Sequence, residues 1–106
     1  MKFSVQWTKV ASCDLEEIID FIAEDSMETA MNIFTEIRNN CEKLTHFPKQ
    51  GRIVPEFRRY HITIYREIIV TKWRIIYKVE QDAIFILAVI DSRRGFEDVL
   101  LSRLLK

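Results

Sequence analysis

Arginines and one carboxylate dominate the residues of this chain whose types and spacing suit chemistry. Arg66 and Glu67 are adjacent, Arg74 falls on the next strand by alternation, and Arg93-Arg94 directly follow a long apolar run. On neighbouring strands of one sheet these side chains would share a neighbourhood. Their forked guanidinium groups would hold phosphates, or stabilise developing negative charge, without any histidine. A plainer arrangement is a cross-strand pair between Glu67 and an arginine, worth under about 1 kcal/mol if exposed. Other chemistries lack their parts. With Gly51 and Gly95 the only glycines, a glycine-rich phosphate loop is impossible. His46 and His61 stand at no metal-ligand spacing with Cys13 and Cys41, and neither cysteine has a histidine nearby in sequence to activate it. No metal and no cofactor are implied.

The elements that must position these arginines follow from periodicity. Residues 2–7 alternate, with Phe3, Val5 and Trp7 on one side, as a short half-buried strand does. Thr8 can cap a helix whose apolar stripe is Ala11, Leu15, Ile18, Ile19 and Ile22. Cys13 lies off that stripe, and the acidic positions form a solvated face. Ser26 can cap a second helix carrying Ala30, Ile33, Phe34, Ile37, Cys41 and Leu44 on one face, which must stop before Pro48. The break between the helices is short, so they pair as an antiparallel hairpin. From Pro48 to about Ile64 the chain reads as a connecting loop with one turn of helix near Glu56–Tyr60. Three strands follow, about Tyr65–Val70, Trp73–Glu80 and Ala83–Ile90. Their joints, Thr71-Lys72 and Gln81-Asp82, have hairpin length without the favoured glycine. Phe96, Val99, Leu100 and Leu104 have the spacing of a terminal helix. The expected fold is α+β: an N-terminal strand, a helical hairpin and a three-stranded antiparallel meander, with the helices on one sheet face.

Within the meander, Trp73, Ile75, Tyr77 and Val79 should face the helices, and Arg74, Ile76, Lys78 and Glu80 the other side. The last strand is apolar on both faces, so its second face needs a cover: the chain's own C-terminal segment or another protein.

With 106 residues, 48% of them hydrophobic and 30% charged, the chain is one ordinary globular domain, residues 1–106, and not a disordered one. No apolar run approaches the roughly 20 residues of a membrane span, and the start lacks a signal-peptide stretch. Two cysteines are too few for a secreted disulfide scaffold, so the expected compartment is the cytoplasm, without a structural disulfide. The zero net charge hides an asymmetry. Residues 1–50 carry five basic and nine acidic side chains, and residues 51–106 carry eleven basic and seven acidic. A basic half suits a nucleic-acid face or an acidic protein partner.

The stretches Gly51-Arg52, Tyr65-Arg66-Glu67-Ile68-Ile69-Val70, Trp73-Arg74-Ile75-Ile76-Tyr77-Lys78-Val79 and Ile86-Leu87-Ala88-Val89-Ile90-Asp91-Ser92-Arg93-Arg94 resemble the RelE/ParE toxin superfamily. Trp7-Thr8, Ala11, Asp14-Leu15, Ile18 and Phe21-Ile22 fit its opening strand and first helix, so the resemblance spans nearly the whole chain in order. It implies a toxin of a type II toxin–antitoxin (plasmid stabilisation) module, with the α+β fold already derived. It also implies a cognate antitoxin as partner, no membrane, and a possible dimer of toxin–antitoxin heterodimers.

Two activities occur in the superfamily. RelE-like members cut messenger RNA on the ribosome with sheet lysines, two arginines and usually a C-terminal tyrosine, whereas ParE-like members poison DNA gyrase without being nucleases. Arg74 and Arg94 match the arginine positions. Tyr65, Glu67 and Leu100 stand where the lysines and the tyrosine would be, and Glu67 reverses the charge where a phosphate would sit. Phosphodiester cleavage needs groups that move protons, and these residues do not supply them. The resemblance therefore implies a ParE-like gyrase poison. A ribonuclease, with Arg74 and Arg94 catalytic, is the alternative, and a non-toxic binding module on the same fold is a third. Arg52, Arg66, Glu67, Arg74, Arg93 and Arg94 are the candidate partner-binding residues. An acidic, amphipathic antitoxin segment is expected over apolar surface beside them, near Ala83–Ile90.

Overall fold

A computed structural model describes residues 2–97. The chain begins with strand β1 (Ser4–Trp7) and helix α1 (Lys9–Ala23). The Thr8 hydroxyl accepts from the Ala11 N–H at 3.2 Å and donates to the Ile86 carbonyl at 2.8 Å. One side chain thus caps the helix and ties its start to the last strand. After Glu24 and Asp25, Ser26 caps α2 (Met27–Glu42), its oxygen accepting from the Thr29 N–H at 3.1 Å. A 3-10 turn over Lys43–Thr45 ends the hairpin. Strand β2 (Arg52–Ile53) and helix α3 (Pro55–Arg58) precede the meander β3 (Tyr65–Val70), β4 (Trp73–Glu80) and β5 (Ala83–Asp91).

The sheet has five strands in the order β1-β5-β4-β3-β2. β1 runs parallel to β5, Trp7 opposite Ile86, and every other pairing is antiparallel. The expected meander is therefore the centre of a wider sheet, extended on each side by a strand from earlier in the chain. β2 is a correction to the expected loop: two residues suffice to pair Arg52 with Glu67 and Ile53 with Arg66. The expected turn of helix is present but starts earlier, because Pro55 already holds the φ of a first helical residue. Both hairpin turns place their first residue in the left-handed region, with φ 57° at Thr71 and 56° at Gln81. Hairpin twist imposes that conformation even without glycine.

The hairpin α1–α2 covers one sheet face, burying Leu15, Ile37, Leu44, Trp73, Ile75 and Tyr77. On the opposite face Val54, Ile76, Ala88, Ile90 and Phe96 form a smaller core, flanked by Phe57 and Tyr65. The second face of β5 is thus covered partly by Phe96, from the C-terminal segment that was one of the two expected covers, and partly by the β2–α3 segment, which was not anticipated from sequence. The apolarity of β5 on both sides has a local cause as well. Ile76 pairs with Ala88 and Tyr77 with Ile86, so Leu87 is an extra residue. This bulge switches the alternation: Ile84, Ile86 and Val89 join the helix-side core, and Ala88 and Ile90 the other. The expected terminal helix, including Leu100, lies outside the described residues beyond Glu97.

Candidate functional site

Register decides which candidate residues meet. On the face away from α1–α2, Glu67 lies directly opposite Arg52 on one side and Ile76 on the other. Arg74, two residues before Ile76, is its diagonal neighbour, within reach of a long side chain. The Glu67 carboxylate accepts from Arg52 Nε and from Arg74 Nε, both at 2.7 Å. The remaining guanidinium nitrogens of Arg74 donate to Glu56 as a fork, Nη1 to Oε2 at 2.8 Å and Nη2 to Oε1 at 2.7 Å. Glu56 was not among the residues singled out from sequence. Its only sequence signal is its place after Pro55, in the first turn of a helix too short to attract notice.

This network is buried at its centre. The Glu67 side chain is 0% exposed and that of Arg74 10%, whereas Arg52 is 62% exposed. The Glu56 hydrogen bonds, reinforced by Glu67, hold the Arg74 pKa above its ordinary value against burial. Reciprocally, the hydrogen bonds from Arg74 hold the Glu56 carboxyl below its usual range. The Arg74 guanidinium also lies over the Phe96 ring, 4.5 Å from its centroid. Three of its N–H donors and one face of the guanidinium are thus engaged.

Arg66 points to the opposite sheet face, where its Nη1 donates to the Gly51 carbonyl at 2.8 Å. There the Tyr77 hydroxyl accepts from the Gly51 N–H at 2.9 Å and donates to the Pro48 carbonyl at 2.8 Å. Burial pushes the Tyr77 hydroxyl pKa up. A Cβ on Gly51 would stand 2.5 Å from the Glu67 carbonyl oxygen and 2.7 Å from the Tyr77 hydroxyl, which is why glycine stands there. Tyr65 packs its ring on Phe57, centroids 4.9 Å apart.

A family model for "ParE toxin of type II toxin-antitoxin system, parDE" matches residues 5–96. The chain belongs to the ParE toxin family. Among solved structures, one titled "Chromosomal ParDE TA system from P. aeruginosa" superimposes with a TM-score of 0.71 at 21% identity, covering 85% of this chain and 96% of that one. That likeness shows a shared fold. No curated protein matches the chain.

In this ParE-family chain, Arg93 and Arg94 stand apart from the ion-pair network. The Arg93 guanidinium and backbone N–H hold Asp91, whose pKa falls to about 2. Arg94 is exposed and has no side-chain partner among the described residues. Both line a groove of about 420 Å³ between α1 and the end of β5, floored by Ile18, Phe21, Ile22 and Val89 and rimmed by Lys72. The groove exists because β1 ends opposite Ile86, leaving the rest of β5 without a strand on that side. Asp14 fills one gap, accepting from the Val89 N–H at 3.0 Å. The six candidates thus form three groups: Arg52, Glu67 and Arg74 joined by Glu56; Arg66 at the Gly51 turn; and Arg93 with Arg94 at the groove. Cys13 is exposed and Cys41 buried, both as free thiols. Among the described residues no group of three histidine, cysteine or acidic side chains is placed to hold a metal ion.

Proposed function

We propose that this toxin poisons DNA gyrase in the cytoplasm and is neutralised by a cognate antitoxin. Family membership supports the toxin–antitoxin role. The occupancy of Arg74 supports gyrase over the ribosome as target. A phosphate reaching that guanidinium would have to displace both Glu67 and Glu56. Tyr65 is committed to Phe57, and Glu67 is a buried anion where a ribonuclease of the superfamily would carry a lysine. Arginine stays protonated at neutral pH and does not shuttle protons, so a non-enzymatic action fits these side chains.

The groove between α1 and β5 suits the antitoxin. Phe21 in its lining is 74% exposed, and Lys72, Arg93 and Arg94 there are balanced by Asp14, Glu17 and Asp91, so apolar surface and the exposed Arg94 would receive an amphipathic segment. Two such heterodimers would pair in the full assembly. The decisive experiment runs a plasmid cleavage assay with purified gyrase beside a primer-extension map of messenger RNA after induction. Linearised plasmid with an intact message is the expected outcome; codon-phased cuts without linearised plasmid would establish the ribonuclease instead. Antitoxin addition should slow amide exchange over Val89–Asp91, and unchanged exchange there would refute the placement.

A further inference from the structure

The charges of the chain are divided along its sequence. Residues 14–42, which contain the last two-thirds of α1 and all of α2, carry nine carboxylates and one arginine. Residues 43–66, running through β2 and α3, carry six cations and the single carboxylate Glu56. That carboxylate is engaged by Arg74, and the neighbouring Glu67 is buried between Arg52 and Arg74. The remaining cations of this segment are barely neutralised. Arg66 bonds to backbone carbonyls and keeps its charge, while Arg59 has only a loose contact with Glu97 at 3.9 Å. Arg52 offers Glu67 its Nε and presents its outer nitrogens to solvent, with Lys49 and Arg58 exposed nearby in sequence. Exposed rings are interleaved with these cations: Phe47 at 67% and Tyr60 at 64%, the latter with Arg59 6.0 Å from its centroid.

We propose that the β2–α3 corner grips the phosphate backbone of duplex DNA, through Lys49, Arg52, Arg58 and Arg59. The three guanidinium forks match phosphate oxygens, and Lys49 adds a point charge. Arg52 lies on the edge strand β2, Lys49 just before it, and Arg58 and Arg59 at the end of α3, which follows it. The acidic helix layer, on the opposite face, would turn the molecule so that this corner meets the DNA first. The choice of duplex DNA rests on the gyrase reading, since a gyrase poison meets its target with DNA bound; the charge pattern itself does not depend on that reading. The toxin would then hold the enzyme–DNA complex by contacting the DNA as well as the enzyme.

The test uses the purified toxin alone with a fluorescent duplex of about 20 base pairs, followed by anisotropy at several salt concentrations. Four phosphate contacts predict a log–log salt slope of about −3.6, hence an affinity falling roughly 150-fold between 50 and 200 mM salt. The triple substitution Lys49→Glu, Arg58→Glu and Arg59→Glu avoids Arg52 and the buried network. It should flatten the slope to about −1 and weaken binding at 50 mM salt by more than tenfold, with an unchanged urea midpoint. No binding at 50 mM salt, or equal binding by the triple variant, would overturn the proposal. Stronger competition by polyglutamate than by unlabelled duplex would assign the corner to an acidic protein and equally overturn it. Because no gyrase is present, DNA binding without plasmid cleavage would refute the gyrase reading alone. Plasmid cleavage without DNA binding would refute this proposal alone.

Discussion

Replacing Glu67 with glutamine keeps its shape and removes its charge at the centre of the buried network. Arg74 then retains Glu56 but loses the acceptor at its Nε, and Arg52 loses its only carboxylate contact there. At an effective dielectric of 20, a pair with charge centres about 4 Å apart contributes about 4 kcal/mol, which is the scale for Arg74–Glu67. The Arg52 contribution is nearer 1 kcal/mol, because that side chain is largely in water. Against these stands the desolvation of the carboxylate, several kcal/mol, which the substitution relieves. One guanidinium N–H is also left facing an amide N–H₂ in a buried site, adding a cost of about 1–3 kcal/mol. The net expectation is a loss of about 3 kcal/mol, a roughly hundredfold rise in the unfolded-to-folded ratio. With a urea slope of about 1.5 kcal/mol per M, the unfolding midpoint should fall by about 2 M at constant slope. The exposed Lys78–Glu80 pair is the control: Glu80→Gln should change stability by less than about 0.5 kcal/mol. A loss below about 1 kcal/mol for Glu67→Gln would refute the reasoning, because desolvation would then cancel the ion pairs.

Gly51→Ala should cost about 2 kcal/mol in urea unfolding, because the new methyl meets the Glu67 carbonyl and the Tyr77 hydroxyl; a neutral substitution would show that the turn yields. Thiol titration should find one reactive group in the native protein, Cys13, and two after denaturation, because burial pushes the Cys41 thiol up to about 12. Finding none without added oxidant would reveal a disulfide. The Asp91 and Glu56 carboxyls are both depressed, so each contributes stability that is present above its unfolded value and lost as pH falls through its folded one. For Asp91 that window runs from 3.8 down to about 2. An NMR titration should place its midpoint near 2 and Arg93→Ala should return it towards 3.8; a native midpoint near 3.8 would refute the pair.

The sequence by itself determined the features set by neighbours along the chain. Thr8 and Ser26 mark both helix starts because a hydroxyl there reaches the backbone of its own first turn. The stripe that buries Cys41 and leaves Cys13 outside is a helical period. The alternation of Trp73, Arg74, Ile75 and Ile76 assigns sheet faces for the same local reason. Only the tertiary structure decided what those faces meet. Arg52 and Glu67 are 15 residues apart, and Glu56 and Arg74 are 18 apart. Their meeting depends on β2 adding to the sheet edge in one register, and two residues carry no periodicity from which to read that. The bulge at Leu87 is likewise a mismatch between two strands, not a property of either. The expected pair between Glu67 and an arginine does form, but as a buried centre, because α3 and Phe96 close over the face. Side-chain type and spacing along the chain made Arg74 a candidate for phosphate. Enclosure by two carboxylates and a ring, all brought from other elements, made it part of the framework instead.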